Sequence, residues 1–210
     1  MEIRGLEVRK GLVYQEIDLR EVFGVDVSKH SALKEKFAQA CIDAITTRCK
    51  KGLDFRGSRL PSYSDSYAES DVFQAYGKSK NNPNETLRGD MLASLDVLNN
   101  FGNKIQIGWN DEENAEKARG HITGYEGHPT IKGAPKREFF GLTQAQLEGL
   151  AIRFEDEIKQ IKDQSEEERA SRKDKPSEAQ MVLEYFKEVE AKNEQAQIAN
   201  LLGIGFDNGE

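Results

Sequence analysis

The chain has 210 residues and a mass of 23.7 kDa, enough for one ordinary domain with an extension or for two small domains. Apolar residues make up 37% of it and charged residues 32%, and the mean hydropathy is −0.72, so the hydrophobic core is modest. This composition argues against a compact monomeric enzyme and for surface that becomes buried in an assembly. No run approaches eighteen apolar residues, and residues 1–10 lack the apolar stretch of a signal peptide. We therefore expect a protein that is outside membranes and is made without export.

The formal net charge is −7, which argues against duplex DNA or an anionic membrane as the primary ligand. The charge is unevenly distributed. Residues 1–110 contain sixteen Lys and Arg against fifteen Asp and Glu, whereas residues 111–210 contain fourteen against twenty-two. The acidity therefore belongs to the C-terminal half.

The first half of the chain begins with a hairpin pattern and continues with a helix pattern. Apolar residues alternate over residues 3–19, on either side of Lys10 and Gly11, which predicts two short strands joined by a turn. Residues 28–51 repeat apolar side chains every three or four positions and end before Gly52, which predicts a helix with a buried stripe at Leu33, Phe37, Cys41, Ala44, Ile45 and Cys49. The two cysteines would lie about 12 Å apart along this helix, too far for a disulfide, so we expect reduced, buried thiols.

The middle of the chain predicts a short helix, a second helix and a strand. Residues 64–76 have a weak helical pattern within a polar segment. After Pro83, four apolar residues at helical spacing predict a helix that either starts near Asn84 or is shorter and capped by Asp90, with its stripe at Leu87, Met91, Leu95 and Leu98. Residues 103–109 alternate and open at a Gly-Asn turn, which predicts a strand and hence a sheet.

Two further helices are predicted beyond the strand. Three acids favour a helix start at Asp111, and Gly120 is expected to end that helix. Residues 121–136 read as a long glycine-rich loop. Thr143 is placed to cap a helix with apolar residues at Leu147, Leu150, Phe154, Ile158 and Ile161. The predicted fold class is therefore α+β, with a small, mostly antiparallel sheet packed with helices and a long charged helical C-terminal extension.

The domain organisation follows from a change of composition after Lys162. Residues 1–162 are expected to form the α+β core, residues 163–175 a polar linker that is either a solvated helix or disordered, and residues 176–210 a helical arm. The arm has apolar residues at Met181, Tyr185, Phe186, Val189, Ile198, Leu201, Leu202 and Phe206. An apolar terminal segment after a polar linker predicts docking on a neighbouring molecule.

The sequence offers no constellation that would support catalysis, cofactor binding or metal binding. His30, His121 and His128 are in no recognisable metal or triad spacing, and no phosphate-binding glycine loop is present. We assign no catalytic, cofactor-binding or metal residue and expect no enzyme and no cofactor. A basic cluster comprises Arg48, Lys50, Lys51, Arg56 and Arg59. An ordinary solvated helix end is the favoured interpretation, since cations suit a helix C-terminus, and contact with DNA phosphates is the alternative.

Three short motifs follow one another between residues 86 and 143. The first has Thr86, Leu87, Gly89, Leu92 and Ser94, the second has Ala118, His121 and Gly124, and the third has Arg137, Phe139, Gly141, Leu142 and Thr143. In this order and spacing they resemble the patterns T-L-x-T-G-x-L-x-x-S, A-x-x-H-x-x-G and R-P-F-L-G-L-S of the tailed-bacteriophage virion-morphogenesis family, over roughly residues 60–160. Arg88, Glu138 and Phe140 depart from these patterns.

The resemblance implies a tail-completion or head-tail joining protein of the phage neck. Such a subunit would form a homo-oligomeric ring, sixfold by analogy with phage tails, would contact neighbouring neck and tail proteins, and would touch packaged DNA without sequence preference. It would be assembled in the host cytoplasm and reside in the virion, at the junction of neck and tail. The alternatives are a tail terminator, or a non-viral soluble scaffolding or coiled-coil interaction module.

Overall fold

The computed structural model describes residues 3–81, 83, 90–125, 135–173 and 178–201. The chain divides into two compact units, Met1–Ile161 and Lys162–Glu210. The first unit is α+β, as the sequence predicts, and contains a four-stranded antiparallel sheet with the strand order β1-β2-β4-β3. The second unit is helical in its described part.

The sheet is built from two hairpins placed side by side. The first joins β1 (Leu6–Arg9) to β2 (Leu12–Asp18) through the predicted turn at Lys10 and Gly11, and the second joins β3 (Leu95–Phe101) to β4 (Lys104–Trp109). The central strands β2 and β4 pair with each other, with Ile17 opposite Ile105. Every second residue of these two strands is buried, which gives the sheet one core-facing side.

Helices cover the core-facing side. Helix α1 (Leu19–Phe23) follows β2 directly, and α2 (Ser31–Lys50) packs on β3 and β4. The predicted stripe of α2 is confirmed: Leu33, Phe37, Cys41, Ile45 and Cys49 are buried, and Ala44 is partly exposed. Both cysteines are buried and neither forms a disulfide, as expected, and burial raises the pKa of Cys41 to about 12.

The turn between β3 and β4 ties the sheet to these helices. Gly102 has the left-handed backbone that a two-residue hairpin needs, and its carbonyl accepts a hydrogen bond from Lys34 of α2 at 3.0 Å. The Asn103 side chain accepts a hydrogen bond from the backbone N–H of Val27, and the Asn103 backbone carbonyl accepts one from the N–H of Leu19, both at 2.7 Å. The predicted Gly-Asn turn therefore reverses the chain and also connects the sheet to the helices through hydrogen bonds.

The predicted helical stripe over residues 87–98 is wrong in its second half. Helix α5 is only Asp90–Ala93, and Leu95 and Leu98 belong to strand β3. The pairing of β3 with β4 shifts register between Val97 and Asn99, which leaves Leu98 in a bulge. The bulge breaks the two-residue alternation that identifies a strand in a sequence. Leu87 and Gly89 lie outside the described residues.

Gly120 does not end the helix that starts after Asp111. Helix α6 spans Glu112–Thr123, and Gly124 caps it with a left-handed backbone. Gly120 lies inside the helix, and the Tyr125 ring packs so closely on it that a side chain would not fit: a Cβ at Gly120 would be 2.1 Å from Cε1 of that ring. Asp111 caps the N-terminus as the acid pattern predicts, through a hydrogen bond from Asn114 N–H at 2.7 Å. Of the predicted loop 121–136, residues 126–134 lie outside the described residues.

The polar segment before the sheet forms two short helices, α3 (Asp65–Ala68) and α4 (Asp71–Ala75), within the range predicted for one. They pack a small aromatic cluster apart from the main core, in which Tyr63, Tyr67 and Phe73 lie with ring centroids 5.2–5.4 Å apart.

The last helices begin at Thr143, which forms the predicted cap together with Gln146. The predicted single helix is interrupted: α7 (Gln144–Ala151) is followed by a 3₁₀ turn (Ile152–Phe154) and then by α8 (Glu155–Lys173). The tighter turn leaves Ile152 70% exposed while Ile158 and Ile161 stay buried. Residues 163–173 are helical, and α9 spans Glu178–Leu201.

Candidate assembly surfaces

The residues of the predicted basic cluster have different environments, beginning with Arg48 of α2. Its Nη2 atom donates to the backbone carbonyls of Phe139 and Gly141, at 2.7 and 2.8 Å. Burial lowers the pKa of Arg48, against the opposing effects of Cys49 and Asp54. Arg48 therefore fastens α2 to the segment that follows residue 136, and only part of its guanidinium group faces outward.

Arg56 is also engaged. It forms a salt bridge with Glu138 and lies over the ring of Phe55, with its guanidinium carbon 4.2 Å from the ring centroid. Arg59 is exposed on the short turn that follows, and its backbone forms an isolated antiparallel β-bridge with Leu53. Within the described part of the chain, no salt bridge involves Lys50, Lys51 or Arg59.

The third family-like motif lies inside the fold. Phe139 and Leu142 are buried, and Arg137 is only 4% exposed, with its guanidinium carbon 4.9 Å from the ring centroid of Tyr63. The Arg137 guanidinium also contacts the carbonyls of Pro61 and Ser62 and Nδ1 of His121, each at 3.4 Å. These contacts make the motif a structural joint between the aromatic cluster, α6 and the main core.

Gln15 holds the same segment to the sheet. This side chain is 2% exposed; its Nε2 donates to the carbonyl of Leu142 at 2.8 Å, and its Oε1 accepts from the Leu142 N–H at 2.8 Å. Leu92, the buried residue of the first motif, lies in α5. The described motif residues therefore serve to hold the fold together, and none of their apolar side chains is exposed for contact with a partner.

A surface groove lies between α2 and the 3₁₀ turn, with a volume of about 350 Å³. We call it the α2 groove. Its apolar lining comes from Ala40, Ala44 and Leu53, and its polar lining from Asp43, Thr47, Arg48, Lys51 and Arg153. Three cations against one acid give the groove a positive rim. The exposed Ile152 is adjacent in sequence to Arg153.

The groove has no signature within a single helix stripe, because residues from two separate elements form it. One signal was present: Ile152 is an apolar residue outside the stripe of Leu147, Leu150 and Phe154, and a large apolar side chain outside the buried stripe is a candidate contact residue.

Five large apolar residues of the predicted arm are exposed on α9. Met181, Val182, Leu183, Tyr185 and Phe186 have exposed fractions of 52%, 50%, 58%, 64% and 61%. Val182, Phe186 and Val189 are spaced by four and three residues and so share one helix face. Ile198 and Leu201 lie in the last turns of α9, and Leu202 and Phe206 lie outside the described residues.

Among the described residues, no group of three His, Cys, Asp or Glu side chains could hold a metal ion. His30 occupies the N-cap position of α2 without a capping side-chain hydrogen bond, and His128 is outside the described residues. No described helix is long and apolar enough to cross a membrane.

Comparison of the chain with protein-family models, with curated proteins and with solved structures found no match. Experiments are therefore needed to test the family resemblance of the three motifs.

Proposed function

We propose that this chain is a structural subunit of a tailed phage, a tail-completion or head-tail joining protein that forms a homo-oligomeric ring between tail and head. The observation that carries the proposal is the exposed apolar face of α9. Soluble monomers rarely expose several large apolar side chains together, and a contiguous patch of this kind marks an interaction surface. The role of α9 is to dock on an adjacent molecule.

The size of this surface fits an interface that needs further contacts. Full burial of one large apolar side chain contributes about 1.5–3 kcal/mol. Five side chains that are half exposed would therefore contribute about 4–7 kcal/mol per arm when covered. Association costs about 4–15 kcal/mol in lost freedom, so one arm contact is marginal. A closed ring multiplies the contact, since every subunit both donates and accepts one arm.

The motif resemblance supports the phage assignment, and the copy number it implies is six. The proposed location is the virion, at the junction of neck and tail, after assembly in the host cytoplasm. The partners are further copies of the chain and the adjoining neck and tail proteins.

The test is the mass of the assembly. Light-scattering chromatography of the full chain, alone and mixed with tail-tube and head-connector proteins, should give a closed multimer, either alone or upon mixing. The double variant V182S/F186S should remain a folded monomer because its contact face is removed. The matched control K187S/E194S changes two exposed residues away from that face and should assemble normally.

Four results would contradict the proposal. The wild type could stay monomeric with every partner, or V182S/F186S could assemble like the wild type. A small elongated dimer would instead identify a scaffolding or coiled-coil module, and a multimer that binds only the distal end of a tail tube would identify a tail terminator.

The ring proposal places Lys50 and Arg59 toward the DNA channel, because both are exposed and without a salt bridge among the described residues. Each phosphate that they neutralise adds about 0.9 to the slope of log affinity against log salt concentration. The variant K50E/R59E should therefore reduce DNA retention by the assembled ring and flatten its salt dependence. Unchanged retention at low salt would exclude these two residues from the channel.

A further inference from the structure

The α2 groove is a concave surface whose lining includes apolar side chains that the described part of the first unit leaves partly uncovered. Ala44 and Leu53 are partly exposed, Thr47 and Lys51 are exposed, and Ile152, next to the lining residue Arg153, is 70% exposed. A volume of about 350 Å³ is at the lower end for binding clefts and has room for one aromatic side chain. The groove is thus suited to anchor one large residue of a larger partner.

The charge of the groove selects the kind of partner. Arg48, Lys51 and Arg153 outnumber the single acid Asp43, and neither Lys51 nor Arg153 takes part in a salt bridge within the described residues. A partner segment should therefore combine an aromatic anchor with surrounding acids. Complementary charge of this kind fixes orientation and suppresses wrong pairings.

We propose that the α2 groove is the receptor for helix α9 of a second copy of this chain. Residues 178–201 contain five acids against two bases, so α9 is net negative where the groove is net positive. Glu188 and Glu190 flank Val189, which lies on the apolar face, and Tyr185 and Phe186 supply exposed aromatic side chains one turn earlier.

This inference rests on the proposed function and extends it, because it names the surface that receives the arm. An arm that leaves one subunit and enters a groove on the next makes a heterologous contact, in which two different surfaces meet. Contacts of this type close into a ring when the rotation between subunits divides a full turn. A pair of arms that simply bound each other would instead produce a dimer.

The first experiment detects the contact between chains. One population of full-length protein carries T47C in the groove, and another carries V189C on the arm face. Mixed and mildly oxidised, they should form a disulfide-linked dimer that contains one chain of each. The native Cys41 and Cys49 are buried and should stay silent. The matched control S66C, on the exposed surface of α3, should give no cross-link with V189C.

The second experiment reverses the charges. The groove variant K51E/R153E and the arm variant E188K/E190K should each raise the concentration needed for assembly about tenfold or more, because like charges then meet. All four substitutions in one chain should restore assembly to within about threefold of the wild type. Rescue of this kind depends on the pairing of the two surfaces, and a general loss of stability would not produce it.

The outcomes distinguish a wrong assignment of the groove from a wrong proposed function. If the wild type assembles but the mixed cross-link is absent and charge reversal has no effect, the groove assignment is wrong and the proposed function stands. If a chain carrying both T47C and V189C cross-links only within itself, the receptor is not on a second copy. If the wild type fails to assemble under every condition, both inferences are overturned.

Discussion

The hydrogen bonds of Gln15 offer a direct test of what holds the core together. Gln15 is a buried amide on the central strand β2, and it exchanges two hydrogen bonds with the backbone of Leu142, 127 residues away. Replacing it by leucine keeps the apolar contacts but leaves the Leu142 N–H and carbonyl without their partner. A buried polar group left unsatisfied costs about 1–3 kcal/mol. Two such groups cost about 2–6 kcal/mol, and allowing about 1 kcal/mol for the added apolar burial we expect Q15L to lose about 1–5 kcal/mol.

The assay is urea unfolding of the full-length protein, followed by the fluorescence of the single tryptophan. Trp109 is 1% exposed and donates to the carbonyl of Met91 at 2.6 Å, so its emission reports the unfolding of this core. The control Q39L changes an exposed glutamine of α2 and should stay within about 0.5 kcal/mol of the wild type. A loss below about 1 kcal/mol for Q15L would refute the reasoning, since the segment after residue 136 would then be held by other contacts.

Three further predictions concern α2, α6 and the loop before α2. R48M removes two hydrogen bonds from a charged group to buried carbonyls and should cost about 2–3 kcal/mol in urea unfolding, while K50M should be nearly neutral. G120A improves helix propensity by about 0.5–1 kcal/mol but forces the Tyr125 ring to move, so G120A should be at least about 1 kcal/mol more favourable in a Y125G background than in the wild type. Hydrogen bonds to Ser28 lower the pKa of Asp26 to about 2, so Asp26 stabilises the fold above its unfolded pKa of about 3.9. The stability deficit of D26N should therefore be full at neutral pH and vanish as the pH falls toward 2; a deficit independent of pH would contradict this.

The elements that were predicted correctly are those whose pattern is set locally. The stripe of α2 repeats over five turns, and Thr143 lies three residues before Gln146, with which it forms a capping box. The two hairpin turns likewise have glycine where a left-handed backbone is required, at Gly11 and Gly102. In each case the deciding interaction lies within a few residues of sequence.

The incorrect predictions depend on contacts that the local sequence pattern does not show. Strand β3 contains a bulge at Leu98 and forms because it pairs with β4, which no short window of sequence shows. Gly120 is an interior helix residue because a tyrosine five positions later folds back over it. A local rule treats such a glycine as a helix end, whereas the ring contact makes it a requirement for close approach.

The candidate surfaces were predictable to different degrees. The arm was recognisable because apolar residues recur after a polar segment, a pattern visible in composition alone. The basic cluster was recognisable as a group of charges, but the separate fates of Arg48 and Arg56 depend on residues 138–141, more than eighty positions away. The α2 groove could not be predicted, because it exists only where a 3₁₀ turn lies against the end of α2.

The first unit and the arm meet opposite physical demands, and together they favour an assembly role. Within the first unit, the Gln15 amide and Nη2 of Arg48 hydrogen-bond to backbone partners far along the chain, which fixes a specific packing of the core. On α9, by contrast, five large apolar residues are at least half exposed. A chain selected only to be a soluble monomer gains nothing from such a helix and risks non-specific association. The arm is explained if a second surface covers it, and the α2 groove, whose charge is opposite to that of α9, is the surface that we propose for this contact.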